Sequence, residues 1–280
     1  MPTGHEADGL IFAQLWHTGR VGHSLDKKGA LPVAPSAIKI EGQKHFTSQG
    51  PQDYETPRAL SVLEIKSIIS EYVQAAKNAI EAGFDGVELH AANGYLPNQF
   101  LAESANQRTD EYGGNIKNNS RFVLEVMKAL TEAIGGEKVG IKISPFHPYA
   151  SILLDNPIAT FSYLIEELNK LDIAFIELMR RSPMFPLPAS YPTDDEIEVF
   201  GPLIKKTLIA NTAFTAETGE ALVQKGSADI ISYGSLFLAN PDLPKRFELR
   251  ASLNQPDRTT ILIELPCLAE ETRATLTTHF

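Results

Sequence analysis

The chain has 280 residues, 43% of them hydrophobic and 21% charged, and its 25 Lys and Arg face 35 Asp and Glu for a formal charge of -10. That composition belongs to a folded polypeptide with a real core and excludes a disordered or collagen-like polymer, while the acidic balance gives counterion-release binding to nucleic acid no basis. The single cysteine, Cys267, excludes an internal disulfide framework, an all-thiolate zinc site and a cysteine-ligated iron–sulfur cluster within one chain, and points to a reducing, cytoplasmic compartment. No run approaches the roughly 18 apolar residues a membrane span needs, and the opening MPTGHEADG lacks the basic-then-apolar layout of a signal peptide.

In chain order, the apolar run 10–15 predicts a first strand, followed by an irregular stretch, 19–57, whose length suggests a functional loop. Residues 61–82 carry Ile65, Ile68, Ile69, Tyr72, Val73, Ala76 and Ile80 at helical period and stop at Gly83. Strands at 86–89, 139–144, 173–178, 208–211 and 229–233 then alternate with helices at 119–134, 159–171, 195–206 and 218–225, with Gly135, Gly136 and Gly226 as stop signals. Unbroken alternation predicts an α/β fold with a parallel sheet, most simply a TIM (β/α) barrel with its active site at the C-terminal strand ends. Six strands are two short of eight. An open doubly wound sheet would tolerate six, but the first βα turn has no G-x-G-x-x-G. A second irregular stretch, 180–193, is expected to overhang the mouth, where Met184, Phe185 and Tyr191 either line a pocket or pack in the core.

Three strand ends carry groups capable of chemistry. The first ends in Gln14, Trp16 and His17, which read either as a core aromatic with a satisfied loop histidine or as part of a site. The second places His90, Asn93 and Tyr95 within six residues: two groups that could bind a carbonyl oxygen and a phenol that could deliver a proton. The third buries Lys142 in an apolar strand, where an ammonium needs an anionic partner.

The strings QLWHTGR (14–20), ELHAANGYLPNQFL (88–101), NQRTDEYGGN (106–115), GIKISP (140–145) and FLANPDLPKRFEL (237–249) resemble, in order, the Old Yellow Enzyme family of FMN-dependent ene-reductases, classical branch. The resemblance implies a TIM barrel with FMN at its mouth, reduced by NADPH or NADH and reoxidised by a small activated alkene. It implies that Gln14 contacts the flavin pyrimidine edge and that Lys142 fills the cationic site near flavin N1, where many relatives have Arg. Trp16 would line the substrate pocket, His90 and Asn93 would hydrogen-bond the electron-withdrawing group, and Tyr95 would protonate the α-carbon. Arg108 and Asp110 are expected to hold their loop. The branch that reduces dienoyl thioesters needs cysteines for an iron–sulfur cluster and is excluded.

Departures from the family pattern are expected at three places. Residues 1–260 read as an incomplete FMN-binding barrel lacking the first two family strands. The phosphate would fall to Ala213, Gly234 and Ser235, where relatives show a glycine-rich turn and Gly-Arg, so that a guanidinium is missing. Residues 261–280 read as a frame-shifted ending, because one allowed back-translation from Pro266 onward, read two bases later, gives Met-Phe-Gly-Gly-Gly-Asp-Glu-Gly-Tyr-Thr-Asp-Tyr-Pro-Phe. The expected function is alkene reduction. The alternatives are a non-catalytic fragment unable to hold FMN, and an aldolase or isomerase using Lys142 as a Schiff base.

Overall fold

All six apolar runs form strands. In the computed structural model, which describes residues 2–182 and 185–257, they are β1 (Phe12–Leu15), β2 (Gly86–Ala91), β3 (Val139–Ile143), β4 (Phe175–Met179), β5 (Thr207–Asn211) and β6 (Ile230–Ser232), each parallel to the next. The sheet is curled as a partial (β/α) barrel. The ring of Phe12 on β1 meets that of Phe175 on β4 at 5.3 Å between centroids, whereas a flat sheet would hold those strands about 14 Å apart. Two glycines make room for this inner pair: a Cβ on Gly86 would stand 2.3 Å from the Phe12 ring, and one on Gly140 2.2 Å from that of Phe175. β1 and β6 are the two ends of the sheet, each paired on one side only among the described residues.

Alternation sorts each strand into two faces. On β2, Val87, Leu89 and Ala91 belong to the apolar core shared with the helices, while Glu88 and His90 alternate with them on the lumen side. The helices are α1 (Val62–Glu81), α2 (Ile116–Ile134), α3 (Pro157–Leu168), α4 (Glu196–Phe200) and α5 (Ala216–Gln224). α1 starts at a capping box in which Ser61 and Glu64 satisfy each other's backbone N–H, and it buries Ile65, Ile68, Tyr72, Ala76 and Ala79. The helix expected over 195–206 is shorter: α4 tightens into a 3-10 turn at Gly201–Leu203, where Pro202 has no N–H to continue the ladder.

The 19–57 stretch is more ordered than its sequence suggests. It contains a hairpin, Lys44–Thr47 with Gly50–Asp53, and Val33–Ala34 pairs in parallel with Arg58–Ala59. Short helices at Leu96–Leu101, Ser235–Ala239 and Leu243–Glu248 were likewise invisible to periodicity, being about two turns or less. Arg108 and Asp110 act as expected: the guanidinium binds the carboxylate at 3.0 Å and 2.5 Å and donates to the carbonyls of Pro35 and Leu60. No helix among the described residues is long and apolar enough to cross a membrane. The tail assigned to 261–280 lies outside the described residues, as does Met184.

Beyond β5 the backbone turns through two non-glycine residues of positive φ, Thr212 at 86° and Ala213 at 60°. Arg180 clamps this turn, donating to the carbonyls of Thr212 (2.9 Å) and Ala213 (3.4 Å) and stacking 4.0 Å over the Phe214 ring. A left-handed alanine carries a steric cost of about 1–2 kcal/mol that glycine avoids, offset in part by glycine's looser unfolded chain. Ala213→Gly should therefore raise stability by about 0.5–1 kcal/mol, read as a higher thermal midpoint by circular dichroism. A lower midpoint would show that the Ala213 methyl packs better than this geometry allows.

Candidate active site

At the C-terminal end of the sheet, β1 and β2 deliver an aromatic cluster. The Trp16 ring lies 4.8 Å from that of Tyr95 and 6.5 Å from His90, and His90 lies 5.2 Å from Tyr95. The turn carrying Asn93 and Tyr95 is fixed from several sides. Asn93 takes φ of 55°, its N–H donating to Ser144 Oγ at 2.9 Å, and the Leu96 N–H donates to the His17 carbonyl at 2.9 Å. Gln99 braces the same turn, donating to the carbonyls of Gly94 (2.7 Å) and Thr18 (3.1 Å) and accepting from the Arg20 N–H. His90 Nδ1 and Asn93 Oδ1 are buried and have no partner within the protein.

The protonation states suit hydrogen-bond donation. Burial, with Lys142 nearby, pulls His90 down to about 3, so the ring is neutral with one N–H. Burial, with Tyr149 nearby, pushes the Tyr95 phenol up to about 12, so it keeps its proton. His17 falls outside the cluster. Its Nδ1 accepts from the Gly19 N–H at 3.0 Å, a loop-stabilising role, and burial pulls it down to about 4.

Below the mouth, the lumen holds a polar chain that the sequence reading found only at Gln14 and Lys142. Gln14 Nε2 donates to Glu88 Oε2 at 2.5 Å, and Lys142 Nζ lies 3.1 Å from Glu177 Oε1. Ser232 donates to the same Glu177 oxygen at 2.8 Å and accepts from Asn211 Nδ2 at 2.6 Å. Strand register explains the contacts, since Gln14 pairs with Glu88 and Lys142 pairs with both His90 and Glu177. Burial acts to lower Lys142, but Glu177 and Glu88 outweigh it and hold the ammonium above its ordinary value. Glu88 goes the other way, lifted well above the usual carboxylate range by burial and by Glu177 beside it. Both acids carried the signal that singled out Lys142, a charge inside an apolar strand.

The residues expected at the phosphate come to neighbouring strand ends: Asn211 pairs with Ser232, so Ala213 and Gly234 each stand two residues past that pair, with Ser235 next. A guanidinium does stand near this turn, since Arg180 reaches it from the loop after β4. Its nitrogens are spent on the two carbonyls and on Asp195 at 3.1 Å. In the second loop, Tyr191 is core: it is buried, packs on Phe146, and its hydroxyl accepts the Leu154 N–H at 2.7 Å. Phe185 instead meets His147 and Tyr149. A cavity of about 640 Å³ opens beside the polar chain, lined by Phe12, Gln14, Glu88, Phe175, Glu177 and Ser232 among others. It is barrel interior rather than mouth, since Trp16, His90 and Tyr95 do not line it. Among the described residues no group of His, Cys, Asp and Glu could hold a metal ion.

A buried, protonated Glu88 has a measurable consequence. Below about pH 4 the acid is protonated folded and unfolded, and contributes nothing. As pH rises, the unfolded chain releases the proton that the fold retains, so Glu88 lowers stability progressively up to its folded value. Glu88→Gln should match the parent near pH 4 and exceed it increasingly toward pH 7, by up to about 1.4 kcal/mol per unit, in urea titrations at each pH. The buried histidines slope oppositely but equally in both proteins, so the difference isolates Glu88. A variant equally destabilised at every pH would mean that Glu88 is ionised in the fold.

Residues 3–254 match the NADH:flavin oxidoreductase / NADH oxidase family. The chain is 39% identical to putative 12-oxophytodienoate reductase 11 of Oryza sativa subsp. japonica, covering 94% of this chain and 72% of that protein. It is 40% identical to 12-oxophytodienoate reductase 2 of Arabidopsis thaliana, covering 94% and 70%. Among solved structures, the old yellow enzyme homologue from Zymomonas mobilis superposes with a TM-score of 0.85 at 37% identity, covering 91% of this chain and 71% of that one. Morphinone reductase in complex with tetrahydroNAD gives 0.83 at 42%, covering 91% and 70%. With its curled parallel sheet and these relatives, the chain belongs to the Old Yellow Enzyme family of flavin oxidoreductases.

Proposed function

We propose that the protein is an ene-reductase that uses FMN to pass hydride from NADPH or NADH to the C=C bond of a small activated alkene such as an enone. One observation carries the reading: Trp16, His90 and Tyr95 pack together at a strand end where His90 Nδ1 and Asn93 Oδ1 are buried and unpartnered. A buried polar atom without a partner costs about 1–3 kcal/mol, so such atoms beside a protonated phenol favour a site that a ligand completes.

The lumen residues fit a flavin: Gln14 offers an amide to a pyrimidine edge, Lys142 a cation, and the backbone N–H groups of Ala213, Gly234 and Ser235 a place for phosphate at adjacent strand ends. Bound FMN would supply the hydride. His90, through its ring N–H, and Asn93, through its amide Nδ2–H, would hold the substrate's electron-withdrawing group. Negative charge grows on that group as hydride arrives, so their hydrogen bonds stabilise the transition state more than the ground state. Tyr95 would then give its phenolic proton to the α-carbon, with Trp16 walling the pocket. The Schiff-base alternative is disfavoured, because Lys142 is held as an ammonium by Glu177 and lacks the free lone pair such a nucleophile needs.

Tyr95→Phe should slow alkene reduction by about 10²- to 10⁴-fold while leaving flavin reduction by the nicotinamide nearly unchanged. Stopped-flow measurement of the two half-reactions checks this, and equal slowing of both removes Tyr95 from the acid role.

A second reading, that this polypeptide by itself is a non-catalytic portion of such an enzyme, is favoured by the edges of β1 and β6 and the lumen between them, which are open and unfilled among the described residues. Barrel interiors are ordinarily packed by layers of side chains, and unpaired edges invite association. On this reading the 280-residue polypeptide alone binds FMN weakly and turns over little. Titrating it with FMN while monitoring flavin fluorescence decides the matter: a stable monomer with stoichiometric FMN and alkene-dependent cofactor oxidation would discard the second reading.

A further inference from the structure

The lumen places an acidic side chain behind each of the two groups assigned to the flavin's pyrimidine edge. Glu88 accepts from Gln14 at 2.5 Å, and Glu177 pairs with Lys142 at 3.1 Å. The Lys142 side chain is 12% exposed and that of Glu177 1%, so water screens the pair little. Ser232 donates to the same Glu177 oxygen that faces Lys142, orienting the carboxylate toward it, and Asn211 in turn anchors Ser232. The field at the top of the lumen is therefore that of a neutralised pair rather than of a free cation.

We infer that Glu177 is a positioning residue that sets the reduction potential of the flavin: paired with Lys142, it cancels much of the positive charge that would otherwise favour the anionic reduced form. The inference rests on the flavin reading above and adds to it an element of this chain's own. In the reaction, the two electrons and one proton of a hydride leave the nicotinamide, which becomes NAD(P)⁺, and convert the neutral oxidised isoalloxazine into an anion. A cation beside that anion makes reduction easier, and a carboxylate behind the cation makes it harder. Driving force is thereby moved from the nicotinamide half-reaction to the alkene half-reaction, making the reduced flavin the stronger hydride donor. Ser232 and Asn211 serve the same end, since they hold Glu177 on Lys142 rather than on the substrate side.

The affinities of oxidised and of anaerobically reduced FMN, titrated up to millimolar flavin on the full chain, give the potential shift on binding without any turnover. Glu177→Gln keeps the side-chain shape and should raise the ratio of reduced to oxidised affinity at least tenfold over the parent, about 30 mV upward for a two-electron couple. Lys142→Gln leaves the carboxylate uncompensated and should move the ratio at least tenfold the other way, giving a second variant should Glu177→Gln fail to fold. Glu177→Asp, retaining the charge, should stay close to the parent. Unchanged ratios in folded variants, or a shift of opposite sign, would overturn the role of Glu177 while leaving the flavin site in place. Failure of the parent to take up either form of FMN would overturn the flavin reading itself, and the inference with it.

Discussion

The arrangement at the barrel mouth depends on one buried guanidinium. Arg20, 1% exposed, donates to the carbonyls of Ile38 (3.2 Å), Ser104 (3.5 Å), Ala150 (2.9 Å) and Ser151 (3.2 Å), none of these acceptors being a carboxylate. These oxygens belong to the loops that follow β1, β2 and β3. Burial pulls the group down to about 10, which still leaves it charged at neutral pH. Each hydrogen bond to a charged group contributes about 1.5–3 kcal/mol, so the set can offset the several kcal/mol of desolvation that a buried ion costs. A carboxylate partner would bind Arg20 to one side chain; four backbone oxygens let it bind three loops at once.

That cage connects directly to the chemistry-bearing turn. The Arg20 N–H donates to Gln99, whose amide holds the carbonyls of Thr18 and Gly94, so the backbone around Asn93 and Tyr95 is tied to the loop after β1 as well as to its own strand. The same packing gathers Val21, Ile40, Tyr54 and Ala150 into a small apolar cluster against which Tyr95 and Tyr149 rest. Tyr95 thus stands between two supports, the Trp16 and His90 rings on the lumen side and this cluster behind. Its orientation is thus set by other strands and loops as well as by its own strand.

Legibility in the sequence followed burial. All six strands were visible as short runs rich in apolar residues, and long helices with one apolar stripe were visible from their period. The hairpin at 44–53 was not, because its residues alternate between exposed and half-buried and form no apolar face. The mouth residues Trp16, His90, Asn93 and Tyr95 could be found because strand ends at one pole of a parallel barrel must converge. Arg20 could not, since its partners are main-chain oxygens, which no side-chain pattern announces. Glu88 and Glu177 were readable in principle: an acid embedded in an apolar strand needs a partner as much as Lys142 does, and register supplies it on the adjacent strand.

The lumen itself divides into two layers with different physics. Phe12 and Phe175 form the lower one, closing over Gly86 and Gly140, where even a methyl group would collide. Directly above lie Gln14, Glu88, Lys142, Glu177 and Ser232, all hydrogen-bonded beside the cavity. An apolar floor lowers the local dielectric, which strengthens the Lys142–Glu177 attraction and at the same time raises the cost of a second ionised acid. Glu88 resolves the conflict by holding its proton, so that one ammonium faces one carboxylate and the layer is neutral. The contacts among them are thus what let five polar side chains act as one electrostatic unit beneath the mouth.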